Sequence, residues 1–113
     1  MRPEARKYLE DIRQAAEHVA RFTKGKSLSD YTSDELLRSG VERKFEIIGE
    51  ALNLLRKAAP EMAGRIGACQ EIIAFRNRLA HGYSSVDDEI VWDVIESDLA
   101  PLLREVEALL REL

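Results

Sequence analysis

Residues 32–59, TSDELLRSGVERKFEIIGEALNLLRKAA, decide the fold class. Leu36, Leu37, Val41, Phe45, Ile48, Leu52 and Leu55 recur mainly at spacings of three and four, so a helix turning about 100° per residue gathers them on one face. Most charged residues of the stretch fall off that face. Thr32 followed by Glu35 has the form of a capping box and predicts the helix start there, while Pro60 marks the end. Gly40 is a candidate bend. Gly49, in a mid-helix Gly-Glu-Ala, costs helix stability and permits another backbone to come close.

The same period runs in both directions from this helix. Upstream, residues 3–24 carry Ala5, Leu9, Ile12, Ala16, Val19 and Ala20 on a stripe that opens at Pro3 and ends at Gly25. Downstream, Pro60 and Gly64 predict a loop, and Ile66, Cys69, Ile72, Ile73, Leu79 and Ala80 form a third stripe that stops at His81-Gly82-Tyr83. Asp87 and Asp88 favour the next helix start. The last stripe, from Ile90 to Leu110, has an apolar arc wider than one neighbour would cover, and Pro101 predicts a kink or a restart after Asp98. No stretch alternates as a strand would. The expectation is one all-α domain over residues 1–113, an up-down four-helix bundle with a kinked last helix.

At 113 residues the chain supports a core but few walls for a cleft of its own. That size and the wide last arc point to a homodimer, although the arc also fits an intrachain core. The net charge of −4 argues against broad nucleic-acid binding, which needs a positive surface to release counterions. A local basic site from Arg38, Arg43, Lys44, Arg65, Arg76 and Arg78 stays open. Cys69 is the only cysteine, which excludes an intrachain disulfide and a thiolate metal cage and fits a reducing compartment. The charged start, with Arg2, Glu4, Arg6, Lys7, Glu10 and Asp11, offers no apolar run for a signal peptide or membrane span. A cytoplasmic protein is expected.

The chemistry gathers in Arg76-Asn77-Arg78-Leu79-Ala80-His81-Gly82-Tyr83. On a helix Asn77 and His81 lie one above the other, Arg76 stands roughly 140° round from His81, and Gly82 can turn Tyr83 back toward the same end. A fixed cation, an amide, an imidazole and a phenol are groups suited to holding and cleaving a phosphodiester without metal. Each also has a plain reading. His81 suits a helix C-terminus through the dipole, Arg76 suits a surface ion pair with Glu71 or Asp87, and Tyr83 suits packing. Asn77 inside a helix asks for a reason such as a hydrogen bond to His81. His18 reads as a partly exposed surface residue. Glu46 and Glu50, one turn apart, resemble a carboxylate pair, but a solvated face explains them and no Glu-x-x-His follows. Glu50, beside Gly49, is the candidate support for the site from a neighbouring helix. Tyr31 and Trp92 suit either base stacking or packing.

The run from Arg76 to Tyr83 resembles the Arg-(four to six residues)-His signature of the HEPN superfamily, in the Arg-Asn-x-x-x-His-x-Tyr form of its HepT-like toxins. Ile48-Gly49-Glu50-Ala51, Val91-Trp92-Asp93-Val94-Ile95 and Asp98-Leu99-Ala100-Pro101-Leu102 are similar to that group as well. The resemblance implies a helical, dimeric toxin of a type VII-like toxin–antitoxin pair. It would cleave RNA without metal or cofactor, with Arg76 and His81 of both subunits facing one cleft and Asn77 and Glu50 in support. It also implies a small nucleotidyltransferase antitoxin that adds AMP to Tyr83. The acidic net charge favours a local, structured target such as transfer RNA. The rival reading is a non-catalytic helical subunit that presents nucleotide or substrate to a minimal nucleotidyltransferase. A purely structural dimer with a degenerate site ranks last.

Overall fold

The computed structural model describes residues 3–80 and 87–113, the side chain of Ala80 excepted. His81 and Tyr83 lie outside the described residues. Seven helices occupy the described chain, with no strand among them: α1 (Pro3–Thr23), α2 (Leu28–Ser33), α3 (Glu35–Ala58), α4 (Pro60–Ala63), α5 (Cys69–Ala80), α6 (Asp88–Ser97) and α7 (Leu99–Glu112).

The four predicted rods are present as α1, α3, α5 and the α6–α7 pair. Helix α1 packs on both α3 and α7, and α3 also carries α5, α4 and α2. The stripes read from sequence supply the core, where Leu9, Ile12, Val19, Val41, Phe45, Ile48, Leu52, Leu55 and Ile72 are buried together. Leu36, expected on the same face, is exposed because it stands about 100° away from Leu37 in the first turn of α3. Gly25 ends α1 with a positive φ of 73°, and Lys26 N–H closes the turn onto Thr23 O at 3.0 Å.

Two further local expectations are corrected, and a third holds. Thr32 does not cap the long helix; it lies in the last turn of α2. The capping box is Ser27 with Asp30, whose side chains accept from each other's backbone N–H at 3.1 and 2.9 Å. Asp34, adjacent to Glu35 and with a shorter reach, then caps α3 by accepting from Leu37 N–H at 3.1 Å. The predicted loop at Pro60 contains the single turn α4, which proline suits because its first position needs no donor. The last rod restarts at Asp98, one of the two outcomes expected, and is therefore two helices. Asp98 ends α6 by donating its N–H to Val94 O at 2.9 Å and opens α7 by accepting from Leu102 N–H at 3.0 Å, so Pro101 falls in a first turn where its missing N–H costs nothing. Since α6 packs on α2 and α7 on α1, the wide arc is two arcs facing different neighbours within one chain.

Tyr31 and Trp92 serve as packing. Both rings are buried, with centroids 5.5 Å apart, and burial pushes the Tyr31 hydroxyl well above its ordinary pKa. At the far end of α7, Arg65 forms a forked pair with Glu112, one arm at 2.7 Å, and Gly67 N–H donates to Glu105 at 3.2 Å. Arg65 is thereby held by α7 and does not join the basic group near Arg76.

Helices α3 and α5 meet most closely at Gly49. A Cβ there would collide with the Cβ of Arg76 and stand 2.6 Å from its Cγ, whereas one at Gly40 would rest 3.7 Å from the Phe22 ring, an ordinary contact. The two glycines therefore respond oppositely to alanine. Gly40→Ala gains helix propensity and is expected to stabilise by about 1 kcal/mol. Gly49→Ala forces the crossing apart and is expected to destabilise by about 1–3 kcal/mol, both read by urea denaturation.

Candidate active site

Arg76 is set by this crossing. Its stem passes over Gly49, and its Nη2 meets Glu50 Oε2 at 2.7 Å. Nη1 donates to Asn77 Oδ1 at 3.2 Å, and the buried Nε has no partner among the described residues. Such a fork is oriented by a carboxylate on a different helix and by its own neighbour, with donor capacity left over. Neither Glu71 nor Asp87 is its partner. The Asn77 carbonyl is engaged by Arg76, which leaves the Asn77 amide nitrogen free to turn toward other groups.

An open pocket of about 340 Å³ lies beside this fork, lined by Asp11 of α1, Arg43, Glu46, Ile47 and Glu50 of α3, and Arg76 of α5. Glu46 pairs with Arg43 at 3.4 Å, so Glu46 and Glu50 each face a guanidinium and do not act as a free carboxylate pair. Asp11 pairs with Lys7 at 3.3 Å. Arg38 does not reach the pocket; its guanidinium turns back to the Thr32 carbonyl. The structure thus joins Arg76, Asn77 and Glu50, adds Arg43 and Asp11 to their surroundings, and leaves the positions of His81 and Tyr83 undescribed. Asp11 had no sequence signal, because its approach depends on how α1 lies against α3. Among the described residues no group of three or more His, Cys, Asp or Glu is placed to hold a metal ion, and no helix is long and apolar enough to cross a membrane.

Comparison with known proteins now bears on this geometry. Residues 12–109 match the family described as ribonuclease HepT-like. The chain belongs to the HepT-like ribonuclease family. The matched span includes Arg43, Glu50, Arg76, Asn77, His81 and Tyr83, and begins one residue after Asp11. The HepT-like chain is 34% identical over 107 residues, 95% of each protein, to a proposed RNase of Caldanaerobacter subterraneus subsp. tengcongensis. It is 33% identical over 106 residues to a proposed ribonuclease HepT of Thermococcus cleftensis, covering 90% of this chain and 92% of the relative. A proposed RNase of Methanocaldococcus jannaschii is 30% identical over 100 residues, 88% of this chain and 91% of the relative. No solved structure gives a significant match.

Glu42 of the HepT-like chain stands on α3 one turn before Glu46 and outside the pocket lining. Burial pushes this carboxyl up, Asp88 adds to the rise and Arg38 opposes it. A carboxyl whose folded pKa is raised disfavours the folded state once ionised, so the penalty grows as pH rises through the folded value and is complete above it. Glu42→Gln is expected to raise the melting temperature at pH 7. The gain should vanish below about pH 4, where the carboxyl is protonated in both states.

Proposed function

We propose that this HepT-like protein is a metal-independent endoribonuclease toxin that cuts RNA by attack of its own 2′-hydroxyl. The observation that carries the reading is the Arg76 fork, seated over Gly49 and aligned by Glu50 and Asn77 at an open pocket, five residues before His81. RNA supplies the nucleophile. His81 takes the 2′-hydroxyl proton, the 2′ oxygen bonds to phosphorus, and the bond to the 5′ oxygen breaks as that oxygen gains a proton. Imidazole suits both transfers because its unperturbed pKa is about 6.5. Base and acid are needed together, and two copies of His81 across a homodimer supply them. Arg76 neutralises the added charge on phosphorus through its planar fork. The products end in a 2′,3′-cyclic phosphate.

Tyr83 is the control point in this reading. A nucleotidyltransferase antitoxin transfers AMP from ATP to the tyrosine oxygen and releases pyrophosphate. The added phosphate then occupies Arg76 and fills the cleft. Transfer RNA is the favoured target, and the cytoplasm the favoured place.

Purified antitoxin-free protein is expected to cleave total transfer RNA in EDTA and to leave cyclic phosphate ends. His81→Ala and Arg76→Ala should each lose about 10²–10⁴-fold in rate. Glu50→Ala should lower kcat by about tenfold through a loosened fork, with Glu50→Gln recovering most of it because its amide oxygen still accepts from Nη2. Tyr83→Phe should cleave RNA and resist AMP transfer. Intact RNA with folded protein whose mass carries no AMP would transfer the assignment to a non-catalytic subunit that presents substrate to the nucleotidyltransferase.

A further inference from the structure

In a chain of net charge −4, several cations of the described surface are already neutralised. Lys7, Arg13, Arg43, Arg65 and Arg76 each hold a carboxylate. Arg21, Lys24, Lys26 and Lys44 are among the described cations that hold none. Arg21 and Lys24 close the C-terminal end of α1, Lys26 follows it, and Lys44 stands across on α3. Burial disfavours protonation of His18, and Lys44 and Arg21 add to this while Glu17 opposes it. The His18 ring stacks on Phe22 at 6.0 Å, and the Arg21 guanidinium lies 5.6 Å from the Phe22 centroid.

An apolar pocket of about 410 Å³ opens at the same place, lined by Phe22, Lys26, Asp34, Leu36, Leu37 and Gly40. Leu36 is 83% exposed, the one large hydrophobic residue so placed among the described residues. Gly40 keeps the Phe22 ring edge uncovered. The pocket and the Arg76 site are separate cavities that lie along one face of α3. On α3, Gly40, Lys44, Ile47 and Ala51 fall within about 60° of arc, and Gly40 and Ile47 are about 10 Å apart along the axis. Gly40 lines the apolar pocket, Ile47 and Ala51 line the Arg76 pocket, and Lys44 stands between them.

We infer that single-stranded RNA runs from the Arg76 site along this α1–α3 groove, with phosphates on Lys44, Arg21 and Lys26 and a base in the pocket beside Phe22. The inference rests on the ribonuclease reading and extends it to substrate binding away from the scissile bond. An aromatic edge, exposed aliphatic carbons and unneutralised cations together match a base and its phosphates. A second copy fits less well, since a two-fold contact through this patch sets the same free cations against one another.

The test uses the whole protein and a fluorescent single-stranded RNA of about 12 nucleotides, 2′-O-methylated throughout so that no nucleophile remains. The double variant Lys26→Glu, Lys44→Glu is expected to weaken binding at least ~10-fold and to flatten the log–log salt slope by about 1.4, two phosphate contacts' worth. Leu36→Ser should weaken it ~3-fold or more with the slope unchanged. On transfer RNA, kcat/KM should fall in parallel, while cleavage of a dinucleotide that reaches only Arg76 stays the same. Unchanged RNA affinity in folded variants of a protein that still cleaves overturns the groove and leaves the nuclease standing. Wild type that binds with this dependence yet cleaves no RNA supports the groove and removes the nuclease. Normal RNA binding coupled to loss of self-association or of nucleotidyltransferase binding overturns the inference by making the patch a protein interface.

Discussion

The contact between Gly49 and Arg76 governs both the packing of α3 on α5 and the placement of the candidate site. An arginine stem lies where any side chain on α3 would stand, so the helices approach at a residue that offers only hydrogen. Glu50, the next residue, is then within 2.7 Å of the guanidinium it faces. Core geometry and site geometry are therefore one constraint. Moving the crossing by even one turn would put a residue with a side chain opposite Arg76 and carry Glu50 away from its partner.

Much of the fold was legible because its signals are local. The stripes of α1, α3 and α5 needed only a period of 3.6, and the break before Pro101 needed only the missing donor of an imino acid. Errors arose where two similar local signals competed. Ser27 with Asp30 and Thr32 with Glu35 share one pattern, and the helix formed between them carries Tyr31, whose ring packs on Trp92, 61 positions away in the chain. The site was legible in part for the same reason. Gly49 and Glu50 looked unusual on their own helix, but their partner came from tertiary register, as did Asp11 and Arg43 at the pocket.

Charge distribution shows the same limit. The sum of −4 describes the chain as a whole and says little about any one surface. Arg65 and Glu112, 47 positions apart, cancel at the end of α7, while Arg21 and Lys44 converge on His18 from separate helices. Sequence supplies the charges; packing decides which are neutralised.

The anchored Arg76 fork also changes the thermodynamics of binding. A free arginine keeps many rotamers and gives up about 2 kcal/mol of side-chain entropy when a ligand fixes it. Here the stem is confined by Gly49 and the head by Glu50 and Asn77, so much of that freedom is already gone in the folded protein. An incoming phosphate meets a rigid receptor, and its association should be governed by displaced water and released counterions more than by ordering of the side chain that receives it.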